Sequence, residues 1–346
     1  MRKGLNIIAA AVIAFSLSSC EKEFLDVKPT NELSLEQIEE AAKTDPALLN
    51  SFVSGMYATM YNTGTGGTTG HDDFGQRGYD IFTDMISSDM VLAGTTYGWY
   101  SGIARYQATT DNTVNQAYTP WRYYYRIIRS ANTLIDILGG NDAPQTGARL
   151  HMMGQAKAMR AYAYFYLAQL YSEGYKSGND KILPLYTSTK DASSKPKSTS
   201  KEVYDLIISD LDAAITSLDG FTRAGKHEVN KNVAKGLLAY VLSARGTTAD
   251  LQRVVTLTNE VITTSGARVT NPDEVVAQFD AAGALKNPQS GFNNVATPSW
   301  IWGVDLVLDY GLNLVSWWGQ MDVFTYSYAW AGDAKTIDRS LYDAIP

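Results

Sequence analysis

Gln155-Ala156-Lys157-Ala158-Met159-Arg160-Ala161-Tyr162-Ala163-Tyr164-Phe165 is the stretch that decides the fold. Small and large residues recur there at i, i+3 and i+4, the period of a helix. Continued both ways, the pattern covers Arg149 to Ser172 and puts Ala156, Met159, Tyr162, Ala163, Tyr166 and Leu170 on one face. Its alanines remove bulk, so another helix can approach closely. The stretch has an echo in Ala234-Lys235-Gly236-Leu237-Leu238-Ala239-Tyr240, and an amphipathic helix follows each copy.

Small residues and aromatics at these offsets are the signature of tetratricopeptide-type hairpins, in which the small residue of one helix receives the large one of its neighbour. The irregular period makes this a degenerate array. The expected fold is therefore mainly α: tetratricopeptide-like helix pairs, a degenerate α-solenoid, packed against an irregular loop-rich region with few short strands. Outward from the deciding stretch, Thr119-Pro120 predicts an N-cap with proline at the first helical position, opening a helix from Trp121 to about Leu138 that stops at Gly139-Gly140. Leu49, Phe52, Val53, Met56, Tyr57 and Met60 predict a helix over about 46–62. A polar segment, 174–200, interrupts. Thr199 and Glu202 have capping-box spacing and open a helix over 201–218, and two more are expected near 231–245 and 249–264. Gly64 to Gly70 lacks a dinucleotide fingerprint and reads as a mobile loop rather than a phosphate cradle. After about 265 come loops and dense aromatics.

The composition narrows the function. Of 346 residues, 45% are hydrophobic and 19% charged, enough to bury a core. The net charge of −7 repels phosphate backbones, so nucleic acid is not an expected partner. The single cysteine, Cys20, excludes a disulfide-stapled scaffold.

Arg2 and Lys3 precede an apolar run from Leu5 to Leu17, the layout of a secretory signal peptide and too short to span a bilayer. Leu17-Ser18-Ser19-Cys20 follows and resembles a bacterial lipobox, with small residues before the scissile bond and the thiol that carries the lipid. The expected organisation is a signal peptide over 1–19, the lipidated Cys20 and a tether over 20–45, and one domain over 46–346. Within that domain the helical core runs to about 265 and the aromatic loop-rich region covers 266–346.

No G-x-S-x-G, H-E-x-x-H or C-x-x-C motif is present, and His71, His151 and His227 are far apart. His71-Asp72-Asp73 reads as a solvated loop rather than a metal corner, and no metal or cofactor is expected. Asp305, Asp309 and Asp322 are the carboxylates available for a glycosidase pair, but acidic residues at loop ends are usually caps. No enzymatic activity is expected. Flat aromatic surface, by contrast, is abundant: 22 Tyr, 10 Phe and 7 Trp, with Trp300, Trp302, Trp317, Trp318 and Trp330 near the C-terminus. Sugars present apolar C–H faces that such rings cover. Tyr97, Trp99 and Tyr100 lie in a loop bracketed by Gly94 and Gly102 that has no periodicity to bury them. Trp317 and Trp318 come next, as adjacent rings on a strand cannot both face one core. Trp121, Tyr123, Tyr124, Tyr162 and Tyr166, at helical spacing, read as core, and Trp300 and Trp302 as inward-packed strand residues.

Taken in order behind the lipobox, several stretches resemble the SusD-like (SusD/RagB) outer-membrane lipoproteins. They are Glu21 to Thr30, Gln155 to Phe165, Ile182-Leu183-Pro184-Leu185, Val203 to Ile215, Asn230 to Tyr240, Ser290 to Asn294 and Trp300-Ile301-Trp302-Gly303. The resemblance implies four tetratricopeptide-like helix pairs and a lipid-anchored cell-surface protein. Its partner would be a TonB-dependent SusC-like transporter to which it hands glycan. A ligand-contacting aromatic in the corresponding loop makes Trp99 the first candidate. Family members usually continue well beyond Pro346, so part of the ligand-binding region is expected outside this sequence. Three other readings stay open: a lipoprotein glycoside hydrolase, a peptide-capturing member of the same architecture, and a scaffold that binds only protein.

Overall fold

A computed structural model describes residues 35–346 except 192, 289, 292–293, 308–309, 311–312 and 346. The signal peptide, Cys20 and the first part of the tether lie outside the described residues. The chain divides into two compact units, 1–48 and 49–346. Of the first, the structure describes one helix, α1 (Leu35–Thr44), where a tether was expected.

In the second unit the helices are α2 (Asn50–Ala58), α3 (Gln76–Ile86), the short α4 (Ser101–Ala104) and α5 (Gln107–Thr110), then α6 (Asn115–Ile137), α7 (Gly147–Tyr171), α8 (Ser200–Ser217), α9 (Lys231–Arg245) and α10 (Thr248–Thr264). The short α11 (Pro272–Val275), α12 (Trp317–Met321) and α13 (Arg339–Asp343) punctuate the loops that follow. The described strands are two antiparallel pairs: β1 (Val91–Leu92) with β4 (Lys335–Thr336), and β2 (Lys181–Leu183) with β3 (Ser198–Thr199). Helices α6 to α10 pack each on the next, with α2 against α6 and α7. This is the mainly helical stack that the alanine pattern implies.

Local chemistry sets the helix ends. Thr199 and Glu202 form the expected capping box on α8, Thr247 and Asp250 form another on α10, and the Asn230 side chain accepts from Val233 N at the start of α9. Gly246, with φ +72°, ends α9 in the left-handed conformation.

Two expectations change in the long helices. Helix α6 begins at Asn115, about one turn before Thr119, so Pro120 lies inside it. Proline blocks the backbone ladder there. The Tyr171 hydroxyl fills the gap, accepting from Trp121 N (2.9 Å) and donating to Ala117 O (2.8 Å). A residue some fifty positions away thus makes a mid-helix proline tolerable, which no local pattern reveals. Helix α7 is buried on nearly every side from Met152 to Ala168 and not along one face; Tyr166 and Leu170 are only half-buried. A Cβ on Gly154 would lie 2.9 Å from both Leu218 Cγ and Ser217 Cβ, so α8 packs there against bare backbone. Trp121, expected in the core, is also half-buried.

At the centre Arg160 is 1% exposed. Its Nε and Nη2 donate to Asp210 on α8 (2.7 and 2.8 Å), Nη1 to Asn132 Oδ1 on α6 (2.9 Å) and Thr187 O (3.2 Å), and Nη2 also to Asn141 Oδ1 (2.7 Å). The segment 172–199 is strapped to the same helices. The Tyr164 hydroxyl bonds both Tyr186 N and Tyr186 O, and Asp136 accepts from Thr189 N and the Ser188 and Thr189 hydroxyls. Trp302 pins the later loops to the stack: Nε1 donates to His227 O (2.9 Å) and the ring sits edge-on to Tyr162. Trp300 lies in irregular chain and Trp302 in a bend, not in a strand, and both are half-buried.

Truncating Arg160 leaves the Asp210 carboxylate buried without its partner, so Arg160→Met is expected to cost about 3–5 kcal/mol of unfolding free energy. The double variant Arg160→Met/Asp210→Leu should recover part of that loss in urea titrations. A double variant with the full additive loss would contradict the reading.

Candidate functional site

The loop carrying Tyr97 and Trp99 is shaped by a carboxylate 230-odd residues away. Asp333, with no exposed surface, accepts from Thr96 N (2.5 Å) and Tyr97 N (2.8 Å). Val91 pairs with Thr336 and Leu92 with Lys335, and a Cβ on Gly94 would lie 2.0 Å from Gly332 O. The two segments therefore meet as bare backbone, and the loop between them is closed at its base.

On that base stands a group of four rings. The Trp99 indole stacks on His71 with centroids 5.2 Å apart and planes at 3°. Tyr328 lies edge-on to His71 (5.7 Å), Trp99 (6.0 Å) and Tyr97 (5.1 Å), and its hydroxyl shares a 2.6 Å hydrogen bond with His71 Nδ1. Gln320 Nε2 donates to His71 O (2.8 Å) and fixes that backbone. Trp99 is half-buried and Tyr97 is 55% exposed, so a mixed flat surface reaches solvent.

Tyr100 does not join it. Its ring is 2% exposed, packed among Phe74, Ile81, Phe82, Met85 and Ile103, and its hydroxyl donates to Gly78 O (3.1 Å). With φ +64° it turns the chain into α4, which takes the side chain inward. Trp317 and Trp318 belong to helix α12, not a strand. Successive helical side chains diverge by about 100°. Trp317 accordingly packs on the Phe74–Phe82 cluster beneath the Arg77 guanidinium (4.0 Å), while Trp318 is half exposed. Phe324, Tyr326 and Trp330 are also exposed, on the loop that carries Tyr328. The sequence pattern marked Trp330 as one of the C-terminal tryptophans but gave neither Phe324 nor Tyr326. The signal was Asp322, whose carboxylate accepts from the Thr325 hydroxyl and from Phe324 N and Thr325 N, and is held below the usual carboxylate range by these bonds. Such a turn lifts the following side chains off the surface.

The Gly64–Gly70 loop is tied to a buried anion rather than free. Asp73 is 2% exposed and accepts from Gly66 N (2.8 Å), Thr68 N (3.0 Å), the Thr68 hydroxyl (3.0 Å) and the Tyr79 hydroxyl (3.2 Å). The solvated reading of His71-Asp72-Asp73 fails for the same reason: the three side chains diverge, His71 to Trp99, Asp73 into the Gly/Thr loop and Asp72 toward a cleft. That cleft, about 220 Å³, lies between the Gly/Thr loop, Trp99 and the start of α6. Burial and the neighbouring Asp73 charge raise the Asp72 carboxyl above its ordinary range, against its own backbone amide. A larger cleft of about 500 Å³, lined mainly by apolar groups such as Ile86, Trp121 and Leu170, opens beside Pro120. Among the described residues no group of three or more His, Cys, Asp or Glu is placed to hold a metal ion. The glycosidase pair is not assembled from the described residues either: Asp305 is exposed, Asp322 is committed to its turn, and Asp309 lies outside them.

Residues 23–241 match the model of a SusD-like family described as starch-binding and associating with the outer membrane. The chain belongs to that family. It is 28% identical over 168 residues to SusD-like protein P25 of Formosa agariphila, an alignment covering 49% of this chain and 30% of that protein. Its fold is similar to that of a SusD-like carbohydrate binding protein from Bacteroides vulgatus (TM-score 0.61, 23% identity, 75% of this chain and 51% of the other). A laminarin binding SusD-like protein is similar over 69% of this chain and 52% of its own length (TM-score 0.51, 23% identity). This SusD-like chain thus spans about half the length of those two structures, and less of the curated relative.

Lys335, 7% exposed under the Tyr100 ring, gives the site base a pH signature. Burial pulls its ammonium down to about 8, with Asp333 and Asp72 opposing. A lysine in the unfolded chain titrates near 10.4. Between those values the unfolded state binds more protons, so this group's contribution to stability rises with pH. The stability of the wild type minus that of Lys335→Met is expected to increase by roughly 2 kcal/mol from pH 7 to pH 10. Urea titrations giving a flat or falling difference would contradict the assignment.

Proposed function

We propose that the chain captures a nutrient glycan without chemistry, stacking it on Tyr97 and Trp99, with Trp318 and Trp330 offering further rings. The observation that carries this reading is the ring group itself. Trp99 is held flat by His71, edge-braced by Tyr328 and mounted on a loop that Asp333 pins, so little freedom is lost when a sugar face settles on it. Each stacked ring contributes about 1 kcal/mol beyond its buried area, so two or three rings make the binding weak. That strength suits a capture step which must release its cargo. The family description and the laminarin binding relative support the choice of carbohydrate over peptide.

The same reading places the protein at the outer membrane, facing outward and anchored through a lipid on Cys20. Its partner is a SusC-like TonB-dependent transporter that receives the glycan. The lipobox and the family membership support these assignments.

The test is retardation in affinity gels containing starch, laminarin and other polysaccharides, using the chain from Glu21 so that Cys20 is removed. Wild type should be retarded by at least one polymer and release no reducing ends, and Trp99→Ala should lose about tenfold or more in affinity. Unchanged retardation of Trp99→Ala would move the site elsewhere, and release of reducing ends would return the glycosidase reading.

A further inference from the structure

Asp73 and Asp333 are both enclosed by hydrogen-bond donors of the chain. Asp72 is not. Among the described residues its side chain takes no hydrogen bond from another residue, its charge being favoured by its own backbone amide and, through space, by His71 and Lys335, and it is half-buried on the wall of the cleft beside Trp99. Its carboxylate can take this position because residue 70 is glycine. A Cβ there would lie 2.5 Å from Asp72 Oδ1, 3.3 Å from the Thr68 hydroxyl and 3.3 Å from Trp99 Cζ3. A carboxylate, a hydroxyl and the edge of an indole thus crowd around the bare backbone of Gly70 on the cleft wall. Across the cleft, Gln116 and Thr119 from the first turns of α6 add an amide and a hydroxyl. None of the residues lining it is cationic: Lys335 is buried beneath Tyr100, and Arg122 reaches Gly67 O on the other side of the loop.

We infer that this cleft is a subsite for a single uncharged sugar unit, which lies against the Trp99 edge and donates its hydroxyls to Asp72. The inference rests on the capture reading and goes on to name the ligand class. A volume of about 220 Å³ equals the liquid share of roughly seven water molecules, room for one ring and not for a disaccharide. A carboxylate accepts two hydroxyls side by side, which neutral sugars offer on adjacent carbons. A uronic acid or a sulfated unit would bring a third anion beside Asp72 and Asp73 with no cationic residue lining the cleft to pair it, so the subsite rejects anionic units.

The experiment is calorimetric titration of wild type, Asp72→Asn, Gly70→Ala and Trp99→Ala with laminarin and starch oligosaccharides as neutral probes and oligogalacturonate as the anionic one. Gly70→Ala is a second route to the same site, as its methyl overlaps the flexible end of Asp72 and presses by only a few tenths of an ångström on the Thr68 hydroxyl and the Trp99 edge; thermal melts verify that each variant folds. Asp72→Asn and Gly70→Ala should each weaken binding of the neutral probe about tenfold, the worth of one charge-assisted hydrogen bond. Oligogalacturonate should bind wild type at least tenfold more weakly than the neutral probe, and Asp72→Asn should narrow that gap. If Trp99→Ala abolishes binding while folded Asp72→Asn and Gly70→Ala bind like wild type, the ring platform stands and the subsite is overturned. Equal wild-type affinity for the anionic and neutral probes overturns it too. If no probe binds wild type, the capture reading falls and the subsite with it.

Discussion

The fold is organised around one buried cation. A guanidinium has five N–H donors and cannot shed its proton, so burying it demands a partner for each. Arg160 has all five: two on Asp210, one on Asn132, one on Asn141 and one on the carbonyl of Thr187. Those partners come from α6, the turn after it, α8, and the strap between α7 and α8. A small shift of any of them would orphan a charge in the core, so the geometry of the helical stack is specified there rather than merely stabilised. Replacing such a pair by apolar groups often costs little stability, whereas breaking it costs much. Arg160 is best understood as fixing which arrangement forms.

The site extends the same logic to carboxylates. Asp333 holds the amides of Thr96 and Tyr97, and Asp73 holds those of Gly66 and Thr68. Each converts a glycine-rich stretch with no periodicity into a defined surface. Between them stand His71 and Trp99, nearly parallel, with Tyr328 bonded to the histidine. The platform is therefore built by three distant segments, near 66–73, 94–99 and 320–335, none of which is part of the helical stack.

That division explains what the sequence made legible. Helices α7 to α10 could be read to within about two residues because their signals are local: alanine spacing, the Thr199–Glu202 and Thr247–Asp250 caps, the glycine after Arg245. The family was legible partly for the same reason, as the stretches 155–165, 203–215 and most of 230–240 lie on those helices. Pro120 misled because its rescue by Tyr171 is a tertiary contact. Trp317 and Trp318 read as a strand because a five-residue helix offers no period to recognise. Within one loop, Trp99 and Tyr100 could not be told apart by composition; the left-handed turn at Tyr100 separates them. Phe324 and Tyr326 stayed hidden because the one local signal, the Asp322 turn, does not say which of the side chains after it are exposed. In each case what sequence pattern lacks is the identity of the partner across space.

The central claim is that a pinned ring platform at Trp99 receives a neutral glycan. Its most direct test is a crystal structure of the chain from Glu21 with a bound laminarin or starch oligosaccharide. The account predicts a sugar face parallel to the Trp99 indole, with His71 stacked behind it and the Asp333 contacts to Thr96 and Tyr97 intact. A sugar bound away from Trp99, or a loop 94–100 rearranged with those contacts broken, would contradict it.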